Sequence, residues 1–324
     1  MTPEPALLTL RLAPARLFAS ATLRVLGLPL RVESDSPRVI AAAREAFGGA
    51  EEAEPDERPA ARIRINVRPG GAGDAGPVSH GSPRRQLLIL SSPGCRGFAD
   101  NLLGEAVAEV GEGLLDDVEH FRRGVLEALA LFMLARRDRD PLHAAAVVRN
   151  GAALLLAGRS GVGKSTLVYA AARAGLQVLS EDAVYLQLVP FRVWGMQRYL
   201  HLTPGSVRFF PELEGMQPRL LANGKSKLAL DLRVHAPGAA CTSAGRAGVC
   251  LLARGPEPGI ERLGVEEVVD ALTAAPEPGF DVYAQSVGAR VRLAARLGAW
   301  RMTLPPDPAA AVPMLHRMLD ALEV

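Results

Sequence analysis

The run Gly158-Arg-Ser-Gly-Val-Gly-Lys-Ser165 constrains this chain more than any other stretch. Glycines at 158, 161 and 163 allow a loop whose successive backbone N–H groups converge on one anion. The helix start behind such a loop adds the positive end of its dipole. The flanks fit: 152–157 is an apolar run, 164–174 reads as a helix, and Gly175 closes it. The segment therefore demands strand, loop and helix in that order, and the match is specific for the phosphates of a nucleoside triphosphate. Gly158, Arg159, Ser160, Gly161, Val162, Gly163, Lys164, Ser165 and Thr166 are the candidate cradle. Lys164 supplies a mobile charge for the β- and γ-phosphates, and Ser165 a hydroxyl for Mg²⁺. ATP and Mg²⁺ are the expected cofactors.

What precedes the loop is unusual. Residues 142–148 and 152–157 are β-type runs separated by Arg149-Asn150-Gly151, and Asn-Gly between two such runs is a strong hairpin signal. The strand entering the loop then has an antiparallel neighbour, where most phosphate-loop proteins have parallel ones reached through crossovers. The hairpin carries His143 back alongside position 158. After the helix, 176–180 reads as a strand ending in Glu181-Asp182. Adjacent carboxylates on a strand diverge, so one can face a metal while the other faces an incoming hydroxyl.

The remaining patterns frame this core. Period-two alternation predicts strands at 8–12, within 23–32, at 62–67 and at 86–90, with a helix over 38–47 and a Gly/Pro/Ser-rich loop over 69–84 carrying a solvated His80. One helix is predicted over 117–137, with His120 on its surface. The domain boundary falls just before or within this helix: an α+β domain at 1–115 and a phosphate-loop domain at 116–324. Further strands are expected at 184–189, 207–210, 228–232 and 249–253, with helices at 265–274 and 308–322. The fold class is α/β, a mixed parallel/antiparallel sheet in the C-terminal domain preceded by the smaller α+β domain.

Lys plus Arg number 37 against 35 for Asp plus Glu, so no field favours nucleic acid as a partner. Three scattered cysteines without CxxC spacing argue against a disulfide framework or a zinc site. No apolar run approaches the ~20 residues of a membrane helix, and a cytoplasmic protein without a membrane partner is expected. Homo-oligomerisation is left open.

His143, the phosphate loop, Gly175 and Leu179-Ser-Glu-Asp182 together resemble the HPr kinase/phosphorylase family, whose C-terminal domain shares its phosphate-loop core with phosphoenolpyruvate carboxykinases. The resemblance covers about residues 140–190 well. It implies that Glu181 is the general base toward the acceptor hydroxyl, that His143 orients it, that Asp182 and Ser165 hold Mg²⁺, and that Lys164 stabilises the transferring phosphoryl. Two features differ from the family: Glu181 stands where Asp is usual, and 191–201 replaces the family's Glu-Ile-Arg-Gly-Leu-Gly-type run. The resemblance therefore implies a divergent relative, a kinase acting on a hydroxyl, such as a serine, of a peptide or protein, for example a natural-product precursor peptide, with a small-molecule hydroxyl as a further acceptor.

Within 191–201, Arg192, Arg198 and His201 with Trp194 and Tyr199 suit an anionic acceptor with an apolar flank, or else are core aromatics with solvated arginines. Lys225 and Lys227 are further cations with reach to a phosphate. Two other readings stand beside the kinase. One is a small-molecule kinase of the adenylylsulfate-kinase type, disfavoured by the antiparallel hairpin. The other is a nucleotide-binding regulatory protein without transfer activity.

Overall fold

The computed structural model describes residues 17–47, 53–54, 57–69, 78–196, 198–220, 225–274 and 284–323. Two compact units divide them: residues 17–24 with 29–133, and residues 25–28 with 134–323. The division falls at Met133/Leu134, inside the helical stretch.

The first unit is built on a sheet whose described strands are β1 (Ala19–Val25), β2 (Leu28–Ser34), β3 (Ala61–Arg68), β4 (Ser79–Arg84), β5 (Leu87–Ser92), β6 (Cys95–Asp100) and β7 (Glu105–Gly111), in the order β1-β2-β3-β7-β6-β5-β4. β2, β3 and β7 run parallel, and the rest from β7 to β4 are antiparallel. The helix Pro37–Ala46 crosses from β2 to β3, with Pro37 in its first turn and Val39, Ile40 and Ala43 buried. Three expectations change here. Residues 23–32 hold the two sides of a tight turn rather than one strand, because Leu26 and Gly27 both take positive φ. Ser79–Arg84 pairs with β5 where a loop is expected, and His80 Nε2 lies 2.9 Å from the Gly124 carbonyl oxygen. The helix over 117–137 contains a π-turn at Arg122–Glu127 between α segments Val118–Phe121 and Ala128–Ala135. Buried Arg122 there pairs with Glu119 and Glu127. The expected strand at 8–12 lies outside the described residues.

The second unit has β8 (Asp140–Leu142), β9 (Ala145–Arg149), β10 (Ala152–Ala157), β11 (Gln177–Ser180), β12 (Val184–Gln187), β13 (Arg192–Trp194), β14 (Tyr199–Leu202), β15 (Arg219–Leu220), β16 (Ser226–Asp231), β17 (Ser243–Ala244), β18 (Arg246–Ala253), β19 (Gly259–Arg262) and β20 (Ala299–Thr303). Its main sheet has the order β11-β9-β10-β18-β20-β19. β10 pairs antiparallel with β9 across Asn150-Gly151, both at positive φ, and parallel with β18 on its other side. The sheet is thus mixed. Every residue of β10 is buried, as a strand covered on both faces must be. Helices Lys164–Arg173 and Val312–Glu323 lie in the core on one face; Val265–Thr273 and Ala284–Leu297 pack on the other.

Two expected elements differ. The run 142–148 is broken at His143-Ala144, because β8 belongs to a second sheet with β12, β13 and β17. Residues 207–210 lie in and just after a 3-10 turn, Pro204–Phe209, bracketed by Pro204 and Pro211, which bar ladder hydrogen bonds. Among the described residues no helix is long and apolar enough to cross a membrane.

Candidate functional site

Register determines what meets at the loop. Leu156 of β10 pairs with Ala145 of β9, and Ala146 pairs with Ser180 of β11. The C-terminal ends of β10 and β11 and the N-terminal end of β9 therefore share one edge of the sheet. Ala157 pairs with Leu251 of β18, and Ala253 with Thr303 of β20, so the chain beyond those strands emerges there too. Gly158, His143, Glu181-Asp182, Arg254 and Leu304 all follow or precede these ends. Open sheets of this kind bind ligands beyond the carboxyl ends of their strands.

The loop has the backbone its sequence requires. Gly161 and Gly163 have φ of +83° and +118°, and the helix starts at Lys164. A β-carbon at Gly158 would lie 3.1 Å from the Leu252 carbonyl oxygen, so the turn runs close against β18. Lys164 is buried, its Nζ donating to the Gly158 carbonyl at 2.5 Å across the loop. Arg159 and Ser160 are exposed at the tip. Val162 packs against the core, and Thr166 Oγ1 lies 3.2 Å from Ser206 Oγ.

The two acids occupy a corner. After β11 the chain leaves the main sheet for β12, and Ser180 Oγ holds the bend by accepting from the N–H groups of Asp182 and Ala183 and donating to the Ala183 carbonyl. His143 lies at the matching corner between β8 and β9. The structure brings His143 to Asp182, with Nδ1 3.5 Å from Oδ1, the carboxylate side chain being 64% exposed. It brings Glu181 to His201 instead. The buried Glu181 carboxylate accepts the His201 N–H at 2.9 Å and lies 2.6 Å from its Nδ1.

The other candidates disperse. Arg192 donates to Ser243 Oγ at 3.0 Å and lies over the Trp194 ring, as does Arg139. Burial lowers the Arg139 pKa to about 10. Arg198 lies over Tyr199 and 3.6 Å from Asp231. Arg192, Arg198 and His201 thus each meet a different partner: Ser243, Asp231 and Glu181. Lys225 Nζ comes within 3.3 Å of Ser160 Oγ at the loop tip; Lys227 lies on β16.

Sequence reasoning missed Arg254. It follows β18 and donates from Nε to the Val162 carbonyl at 2.9 Å and from Nη1 to the Pro305 carbonyl at 3.3 Å. Its Nη2 lies 2.7 Å from where a β-carbon at Gly163 would stand. The available signal was an arginine just beyond a β-type run that could pair parallel with the loop strand. Burial pushes the Cys95 and Cys241 thiols up to about 12, and that of Cys250 higher still, which keeps all three protonated at neutral pH.

No protein-family model and no curated protein matches the chain. Among solved structures it is similar to one titled as the structure of the Hpr(Ser) kinase/phosphatase from Coxiella burnetii, with 13% identity and a TM-score of 0.30 over 55% of this chain and 95% of that one.

Proposed function

We propose that the chain is a Mg²⁺/ATP-dependent kinase that transfers the γ-phosphoryl group to a hydroxyl of a peptide or protein. One observation carries this reading: the phosphate loop, the His143–Asp182 pair and Arg254 converge on one edge of the main sheet. Phosphoryl transfer needs little more than a phosphate cradle, charge stabilisation and a group to take the hydroxyl proton.

The roles of the two acids are exchanged relative to the sequence expectation. Glu181 is buried and its oxygens face His201, whereas Asp182 is open to an incoming acceptor. Asp182 is the proton acceptor, and His143 behind it holds the carboxylate in place. Glu181 is a positioning residue that fixes β14. Lys164 and Arg254 supply positive charge at the loop. Ser165 offers a hard oxygen donor there, which suits Mg²⁺, and would hold the ion. Once bound, the ion would neutralise charge on the phosphates.

The test is transfer and binding measured on the same variants. Asp182→Asn should lower transfer at least ~100-fold with ATP affinity little changed. Lys164→Ala should weaken ATP binding itself. Should Asp182→Asn keep its activity while folded Glu181→Gln loses it, the exchanged roles are wrong. The burial of Glu181 against His201 favours a second reading, a nucleotide-binding regulator without transfer. ATP binding with no phosphorylated product on any hydroxyl acceptor would establish that one.

A further inference from the structure

The acids lie on the β9–β11 side of the loop strand. A cleft of about 260 Å³ opens beside the loop, with Arg254 beyond β18, Leu304 beyond β20 and Thr203 beyond β14 all in its lining. Gly163 and Thr166 contribute its inner end, the turn Pro204–Phe209 one wall, and Leu304 with the prolines after it the other. Gly161, Gly163 and Thr166 belong to the phosphate loop and its helix start and also line the cleft, so a triphosphate held in the loop has this cleft directly beside it. Its volume is just under the roughly 300–1,000 Å³ of whole-ligand pockets, which suits part of a ligand whose remainder lies outside.

The lining has matching chemistry. Phe209, Leu304 and Pro305 offer apolar faces, and the Thr166, Ser206 and Thr203 hydroxyls form a hydrogen-bonded chain at 3.2 and 3.1 Å. Arg254 and Arg208 both line the cleft, and among the described lining residues there is no carboxylate. The Arg208 guanidinium lies 4.5 Å over the Phe209 ring, and Arg208 is exposed, so the planar group presents its outer face. Guanidinium planes are good stacking partners for aromatic rings and bases. We infer that this cleft receives the ribose and base of the bound nucleotide, the base stacking on the Arg208–Phe209 pair. The inference rests on the phosphate-loop reading above and extends it to the nucleoside.

Gly205 gives a clean test, because a β-carbon built there meets no atom within 4 Å. Calorimetric titration with ATP and with inorganic tripolyphosphate, both with Mg²⁺, separates the nucleoside from the phosphates. The wild-type chain should bind ATP at least tenfold more tightly than tripolyphosphate. Gly205→Phe should lose at least tenfold for ATP and less than twofold for tripolyphosphate. Arg208→Ala, at an exposed position, should lose about threefold or more for ATP alone, and it decides the matter if Gly205→Phe loses both ligands through misfolding. Equal wild-type affinities, unchanged ATP affinity in folded Gly205→Phe, or equal loss of both ligands in Arg208→Ala each overturn the inference. So does a Gly205→Phe chain that binds ATP normally and fails only in transfer, since the cleft would then hold the acceptor. Lys164→Ala reports separately on the loop: unchanged tripolyphosphate affinity there would sink the phosphate reading itself.

Discussion

Glu181 and Asp182 are neighbours with opposite surroundings, and their substitutions should separate folding from chemistry. Glu181→Ala leaves the buried His201 N–H and ring without their acceptor, a loss of about 3 kcal/mol. Glu181→Gln keeps one oxygen for those donors and should lose about 1–2 kcal/mol. Urea melts of the two variants check the order; equal, negligible losses would mean that the pair does not hold β14. The thiols give a pH signature. Burial raises the folded pKa of Cys95 from 9.0 to about 12 and raises that of Cys250 as well. A raised folded pKa means that the unfolded chain releases the proton first. Stability is therefore intact below about pH 9 and falls as pH rises toward 12, by about 1.4 kcal/mol per unit for each thiol. Cys241 is raised to about 12 in the same way, so denaturant melts between pH 7 and 10.5 should show the decline, and Cys250→Ala should remove about a third of its slope.

Among the elements, the loop, its helix and the Asn-Gly hairpin were legible because each depends on local chemistry: positive-φ glycines, a phosphate-cradle pattern and two β-type runs. The corners were not. That 142–148 breaks at His143 depends on β8 finding β12, about forty residues away, which no local period encodes. Residues 207–210 are apolar enough for a strand, yet flanking prolines make them a 3-10 turn. The placements of His201 against Glu181 and of Arg254 on the loop are likewise products of pairing between distant strands. Close packing at such crossings predicts sharply unequal glycine substitutions. A β-carbon at Gly195 would stand 1.9 Å from the Leu179 carbonyl oxygen, where β11 passes behind the chain leaving β13. Gly195→Ala should therefore lose about 3 kcal/mol or more, while Gly205→Ala, in open space, should stay within about 0.5 kcal/mol. Thermal melts of this pair measure the tightness of the crossing.

For the whole molecule, the division into two compact units predicts how a ligand should act on unfolding. Residues 25–28 and 134–323 contain the loop, the acid corner and the cleft, whereas 17–24 and 29–133 contain none of them. A chain of two units need not melt in one step. ATP binds only folded loop, so at a hundred times its Kd it should stabilise the second unit by about 2.7 kcal/mol. For a unit of this size that corresponds to a rise of roughly 5–10 °C in its transition. In scanning calorimetry with Mg²⁺, one transition should climb with ATP concentration while any other stays fixed, and Lys164→Ala should remove the climb. Two transitions rising together would mean that the units unfold as one. No rise at saturating ATP would remove the basis for placing a nucleotide at this sheet edge, because a ligand that binds the folded state alone must stabilise it.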